Sequence, residues 1–444
     1  MPRSTGQLLP RDLTRTYPRI VRGEGVNVYD ADGKRYLDAI AGIAVVNVGH
    51  GRAQVAEALA AQAQTIAYVQ SSIFDNQPAH ELAERLGRFT PAGLNHAYFV
   101  SGGSEANETA IKLARQYHVE RGEPSRYLVV SRWQSYHGGT LGALSASGIT
   151  ARREKYAPLL LDFPHIAECN CYRCPFGLDY PTCGLRCAHE LESTLKRVGA
   201  SNVSAFIAEP VVGAAAGATV PPPEYFPIIR ETCDRYGILF IADEVITGLG
   251  RTGKNFGIEH WNVTPDIITT AKGLAGGYAS LGAVIAHDRV RDAFVKAGAP
   301  FVHGYTMVSN PLAAAVGVAV LDILEQEALV ARVAALEEGF FRRGRALLKH
   351  RTVGDVRGKG LLMGVELVQD QASKQPFPAA RRVNAQLAAI CLKRGLVIYP
   401  GGGTVDGVNG DHFLICPPFT IQEPELDELF TLLDASLSEL EEML

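Results

Sequence analysis

The sequence predicts an α/β fold: a large domain on a mainly parallel sheet, joined to a smaller α+β domain. Three observations predict it. First, short apolar runs recur, each ending at glycine or a polar residue: His96 to Val100, Tyr127 to Ser131, Val203 to Ala208, Ile238 to Ala242 and Asp266 to Thr270. They are apolar throughout instead of alternating, as strands covered on both faces are. Second, helical stretches such as Pro223 to Tyr236 separate them, and that alternation is the α/β pattern. Third, the texture changes after Pro311, where long helices replace the strand–glycine–helix rhythm.

Taken in order, Val26 to Tyr29 and Tyr36 to Asp38 read as a strand pair. Asp30-Ala31-Asp32-Gly33 lies between them, with aspartates and a glycine where a tight turn wants them. After the strand at His96 to Val100, Ala106, Ala110, Leu113, Ala114 and Tyr117 form one helical stripe, stopped by Gly122. Beyond Pro311, helices are expected at Leu312 to Leu324, Gln326 to His350, Ala379 to Arg394 and Glu423 to Leu444. An apolar segment, Gly360 to Leu367, and a glycine-rich loop, Pro400 to Gly410, complete the chain. The large domain is placed at 56–309. The small one is placed at 1–55 and 310–444, with the N-terminal hairpin packing on the C-terminal part.

Composition narrows the function classes. The 444 residues carry 43 basic and 47 acidic side chains, a net charge of -4, with no long like-charge block. That excludes an electrostatic footprint for nucleic acid or an anionic membrane. An apolar share of 47% with 20% charged residues argues against disorder. Met1 to Arg15 carries three arginines and no long apolar run, and no stretch approaches a spanning helix, so a cytoplasmic enzyme is expected. Of the 43 basic residues only 11 are lysine. A chemistry that needs one particular lysine therefore has few candidates.

In open α/β sheets, ligands bind beyond the carboxyl ends of the strands. The polar residues at those ends form a set. Gly102-Gly103-Ser104 opens a helix, where free amide groups and the helix dipole suit a phosphate. An ordinary turn with a serine cap would look the same. Asp243 closes a buried strand, where a carboxylate is costly unless paired; a protonated ring nitrogen and backbone donors are both suitable partners. Lys272 ends the next strand, flanked by Gly273, Gly276 and Gly277, while most other lysines fall in helical or loop contexts. Desolvation of such a lysine favours Schiff-base chemistry. Tyr136 and His137 offer an aromatic face. Phosphate cup, aromatic, acid and lysine in this order fit a pyridoxal phosphate (PLP) site.

Ser101-Gly102-Gly103-Ser104-Glu105-Ala106-Asn107, Tyr136-His137-Gly138, Glu209-Pro210-Val211, Asp243-Glu244-Val245, Gly248 to Gly253, Thr270-Ala271-Lys272-Gly273 and Asn310-Pro311-Leu312 resemble class III aminotransferases. The resemblance runs from about Tyr17 to the final helix and is nearest to members acting on amines and ω-amino acids. It implies a fold type I PLP enzyme with a seven-stranded sheet. It implies that Lys272 forms the internal aldimine and is the base for the proton shift, and that Asp243 keeps the pyridine nitrogen protonated. Val245 and Tyr136 would flank the ring, Gly103 and Ser104 would hold the phosphate, and His137 and Glu209 would complete the polar surround. Thr306, in Gly304-Tyr305-Thr306, matches a threonine that reaches the neighbouring subunit's phosphate, so a homodimer is implied, with a tetramer as its alternative. The family often has serine at Gly102, so one phosphate donor is missing here.

Two other motifs compete. Gly248-Leu249-Gly250-Arg251-Thr252-Gly253 satisfies the dinucleotide-binding glycine pattern, but Asn255-Phe256-Gly257 follows with no helical stripe, which counts against an NAD-dependent dehydrogenase. Five of eight cysteines fall between Cys169 and Cys187, in a segment like an insertion in some class III members. Paired cysteines near these spacings bind zinc in other proteins; reduced packing cysteines or a redox-labile pair are the alternatives, and no metal is assigned to the site.

The resemblance implies transfer of an amino group from an amine or ω-amino acid to pyruvate or 2-oxoglutarate. A β-amino acyl-thioester transaminase, an aminomutase and a decarboxylating transaminase are the related alternatives. Ornithine- and 4-aminobutyrate-type members carry an arginine where this chain has Leu414, and amine:pyruvate members carry one near the position of Tyr399. Both carboxylate clamps are therefore absent. Arg357, in a motif common across the family, is read as structural.

Overall fold

The computed structural model describes residues 8, 9 and 11–444. Its centre is a seven-stranded sheet in the order Leu94–Val100, Gly282–His287, Ile267–Thr270, Leu239–Asp243, Val203–Ala208, Leu128–Arg132 and His165–Ile166. From Ile267–Thr270 to His165–Ile166 every neighbouring pair is parallel. Gly282–His287, which the apolar-run pattern did not single out, is antiparallel to both its neighbours. That reversal leaves Leu94–Val100 running with the parallel set. The carboxyl ends of six strands therefore open on one edge, the edge where a ligand site is expected.

The expected elements are present with ends shifted by a few residues. The helix after Val100 spans Gly103–Glu120 and buries Ala106, Ala110, Leu113, Ala114 and Tyr117, the stripe read from the sequence. Pro311–Gln326 starts where Asn310 accepts a hydrogen bond from the Ala313 amide (3.0 Å), with Pro311 in the first turn where its missing N–H is harmless. The N-terminal hairpin pairs Asn27–Asp30 with Arg35–Asp38. Asp30 Oδ1 accepts from the Asp32 and Lys34 amides (3.0 and 2.9 Å) and fixes the turn. Arg35–Asp38 then pairs in parallel with Leu396–Val397, which joins the hairpin to the C-terminal part as expected.

A four-stranded antiparallel sheet holds Val353–Lys359, Leu362–Leu367, Asp411–Ile415 and Tyr399–Gly402. The start of the expected loop from Pro400 is thus a strand. Glycine suits it because a Cβ at Gly401 would run into the His412 ring. Gly248 to Gly253 opens no helix. Instead Arg251 is buried and donates to the carbonyls of Leu361 (3.0 Å) and Pro417 (2.6 Å), stapling this loop to the C-terminal part. Arg357 is also structural. It bonds Asp355 and Glu366 (2.8 Å each) and the Ala216 carbonyl (2.9 Å).

The cysteine segment lies against the same sheet, with Arg173 paired to Glu366 and Lys374 Nζ donating to the Tyr172 carbonyl (3.0 Å). Cys187 and Cys169 Sγ are 3.7 Å apart. Among the described residues, no group of three or more histidine, cysteine or acidic side chains is placed to hold a metal ion. Among the same residues, no helix is long and apolar enough to cross a membrane.

Candidate active site

A cavity of about 920 Å³ opens on the ligand edge of the sheet. It is lined by Gly103, Ser104, Tyr136, His137, Glu209, Asp243, Val245 and Lys272, eight of the nine residues predicted from sequence. Thr306 is the ninth. It is exposed and lines a separate cavity of about 500 Å³ beside Gln70, Ser72 and Tyr305.

Asp243 is the last residue of its strand and is buried. A buried carboxylate needs compensation. Its Oδ2 accepts from Asn107 Nδ2 and from His137 Nδ1, both at 2.7 Å, and its Oδ1 accepts from the Val245 amide at 3.1 Å. Asn107 is itself fixed, donating to the His137 carbonyl (2.6 Å) and accepting from Thr269 Oγ1 (2.7 Å). The orientation of the charge is thus over-determined by three strand ends and one helix. Asn107 closes the Ser101 to Asn107 motif and Thr269 lies in the expected strand Asp266 to Thr270, and the sequence assigned neither a role. Their signal was available: Asn107 lies one helical turn past Gly103, facing the sheet.

Lys272 follows the Ile267–Thr270 strand at a left-handed φ of 43°, an uncommon conformation for a side chain without a special reason. Burial pulls its ammonium below the ordinary lysine range, while the Asp243 and Glu209 carboxylates oppose that shift. Desolvation is the largest of these effects, and it shifts the balance toward the nucleophilic amine relative to an exposed lysine. Glu209 is buried, and burial raises its pKa while His137 counters. Its oxygens accept from the Tyr136 amide (3.0 Å) and the Gly213 amide (2.9 Å), which ties the aromatic wall to the next loop.

The phosphate end is a cradle of backbone. Ser104 Oγ accepts from the Gly139 amide (3.0 Å), which leaves its hydroxyl hydrogen free to donate outward. A Cβ at Gly138, held at φ 145°, would sit 2.8 Å from the Ser104 Cα, so only glycine allows this loop to close on the helix. A Cβ at Gly103 would sit 2.9 Å from Val245 Cγ1. Gly102 has nothing within 4 Å of its Cβ position, so the missing serine is a lost donor and not a steric necessity. His137 Nε2 and Thr270 Oγ1 are buried without a partner. Amide donors at a helix start, a fixed carboxylate, an aromatic wall and a desolvated lysine in one cavity fit PLP.

Two arginines of this cavity were not singled out from the sequence. Arg152 and Arg382 both line it, one from the segment after the Tyr136 loop and one from the C-terminal part. Tyr399 lines it too, whereas Leu414 is buried outside it in the strand pairing with Gly364.

Comparison with known proteins gives the same picture. The family model for class III aminotransferases matches residues 10–437. A putrescine–pyruvate aminotransferase of Pseudomonas aeruginosa is 36% identical, covering 93% of this chain and 89% of that protein. An (S)-enantioselective ω-transaminase from Thermomicrobium roseum is 40% identical, with a TM-score of 0.91 over 98% of this chain and 96% of that one. An amine transaminase from an uncultivated Pseudomonas species, in its PLP-bound form, is 35% identical, with a TM-score of 0.90 over 98% and 99%. The fold is that of the fold type I PLP transaminases.

Proposed function

This chain belongs to the class III aminotransferases, PLP-dependent transaminases, and from that premise we propose that it moves an amino group from an amine or ω-amino acid to pyruvate or 2-oxoglutarate. The observation that carries the reading is the convergence of Lys272, Asp243 and the Gly103–Ser104 helix start on one cavity. When bound, PLP supplies an aldehyde that captures amines and a ring that takes up electron density. Lys272 Nζ would hold the cofactor and, once an incoming amine has displaced it, would move the proton between the reacting carbon atoms. Asp243, its charge fixed by His137 and Asn107, holds a proton on the ring nitrogen. Gly103 and Ser104 bind the phosphate, and Tyr136 and Val245 keep the ring flat between them.

The same reading makes the enzyme a cytoplasmic homodimer with its large domain at 56–309. Ile66, Tyr68, Ile73, Phe74, Val302 and Met307 are exposed in the chain segments that flank the lining of the Thr306 cavity, which supports a second copy covering them. Thr306 would then serve the partner's phosphate. A panel of amine donors, followed by the visible absorbance of the holoenzyme, tests the proposal. Bleaching by diamines or ω-amino acids and recovery with pyruvate are expected. A spectrum that no primary amine alters would sink it.

A further inference from the structure

The cavity has a polar floor and, away from it, walls that are largely apolar or glycine, such as Val45, Ile149 and Gly401. Two guanidinium groups interrupt those walls at the mouth. Arg152 lies with its Cζ 5.9 Å from the centre of the Tyr136 ring, the ring assigned to the cofactor wall. Arg382 comes from the C-terminal part, at the start of the Val383–Lys393 helix, with a left-handed φ of 48°. Their neighbours in sequence show what an arginine does here for structure alone. Arg153 donates to the carbonyls of Leu144, Ser145 and Ser147 (2.7 to 3.0 Å). Arg381 lies over the Phe377 ring at 5.6 Å. Among the described residues, Arg152 and Arg382 form no ion pair, and both line the cavity.

The other charges at the mouth do not neutralise them. Asp411 is buried, and burial pushes its carboxyl up to about 6, with the Val383 and Asn384 amides at the helix start opposing that shift. Asp12 is engaged by Thr14 and feels Arg382 only at longer range. Glu154 and a third arginine, Arg11, are the remaining charged groups at the rim. Arg11, Arg152 and Arg382 thus stand against Glu154, Asp411 and Asp12, and among the described residues no carboxylate pairs with Arg152 or Arg382, in a chain where Leu414 and Tyr399 occupy positions at which relatives were expected to carry an arginine.

We propose that Arg152 and Arg382 form the carboxylate-binding subsite of this enzyme, taking the carboxylate of the oxo acid acceptor or of an ω-amino acid donor. The proposal rests on the transaminase reading and names its substrate chemistry. A guanidinium fork matches a carboxylate in a way a single ammonium does not. An amine that lacks a carboxylate needs neither contact, so such donors are accepted without them.

Binding and kinetics test this separately. Succinate, which has no reacting group, is titrated into holoenzyme by calorimetry, with succinamide as its neutral counterpart. Arg152→Gln and Arg382→Gln are each expected to weaken succinate at least tenfold, Arg382→Lys less so, with succinamide unaffected. In turnover with one neutral amine, both variants should lose at least tenfold in kcat/KM for pyruvate, mainly through KM. Butanal as acceptor should stay within twofold. Succinate binding equal in parent and variants, no binding in the parent, or equal losses for butanal and pyruvate would each overturn the subsite. A parent that binds succinate through these arginines but turns over no acceptor would instead sink the transaminase reading and leave the subsite standing.

Discussion

Replacing Asp243 by asparagine removes one charge and almost no volume. The two donors on Oδ2, Asn107 Nδ2 and His137 Nδ1 at 2.7 Å, require an acceptor there, so the new amide must place its oxygen at that position. Its NH2 group then faces the Val245 amide, which had donated to Oδ1 at 3.1 Å, and one hydrogen bond is lost. The larger loss is electrostatic. A carboxylate and a ring cation at hydrogen-bond distance, about 3 Å, attract by about 5 kcal/mol at an effective dielectric near 20, equivalent to roughly 4 pK units. Without it the ring nitrogen gives up its proton at neutral pH and the electron sink weakens. At tenfold per ~1.4 kcal/mol, the amine half-reaction should slow by about 10³-fold. The assay is single-turnover bleaching of the holoenzyme's visible band by excess donor amine, with thermal melting as the check on folding. A variant that holds cofactor, melts as the parent does and reacts within tenfold of the parent rate would refute the role given to Asp243.

Gly138→Ala should weaken cofactor binding at least tenfold, because the added Cβ meets the Ser104 Cα at 2.8 Å and the φ of 145° suits glycine alone; equilibrium dialysis of PLP against the apoenzyme reads this directly. His412 is fully buried, donates to the Ala214 carbonyl (3.1 Å), and is pushed down to about 4 by that burial. Its folded pKa lies below the unfolded value near 6.5, so the unfolded chain binds more protons between those pH values and stability is lost as pH falls. From pH 7.5 to pH 5 this one group accounts for about 2 kcal/mol. Urea unfolding of His412→Gln at the two pH values should show a pH difference smaller by that amount, and an unchanged difference would assign the acid sensitivity elsewhere.

Much of the fold was legible because the parallel strands are buried on both faces and therefore apolar along their length, as Val203–Ala208 is. Gly282–His287 escaped notice because its short apolar run directly follows the glycine-rich stretch from Gly273 to Gly282, and its antiparallel pairing depends on strands distant in sequence. Tyr399–Gly402 read as loop because glycines there accommodate the His412 ring, a tertiary demand that local propensity does not report. In the site, the residues with a chemical signature were readable: Lys272 among few lysines, Asp243 closing an apolar strand, Ser104 opening a helix. Asn107 and Thr269 were not, because their role is to orient Asp243 across the sheet and exists only after the strands are side by side. Arg152 and Arg382, 230 positions apart in the chain, share a cavity only through the packing of the C-terminal part over the sheet edge. The glycine motif at Gly248 to Gly253 shows the converse, since it opens no helix and its buried arginine donates to protein carbonyls.

The central claim is that Lys272, alone among the lysines, carries the cofactor. Borohydride reduction of the holoenzyme followed by peptide mass spectrometry tests it most directly. The pyridoxyl group should appear on the peptide containing Lys272 and on no other, with loss of turnover in proportion to labelling. A label on any other lysine at comparable occupancy, or an unlabelled Lys272 in a holoenzyme that still transaminates, would contradict it.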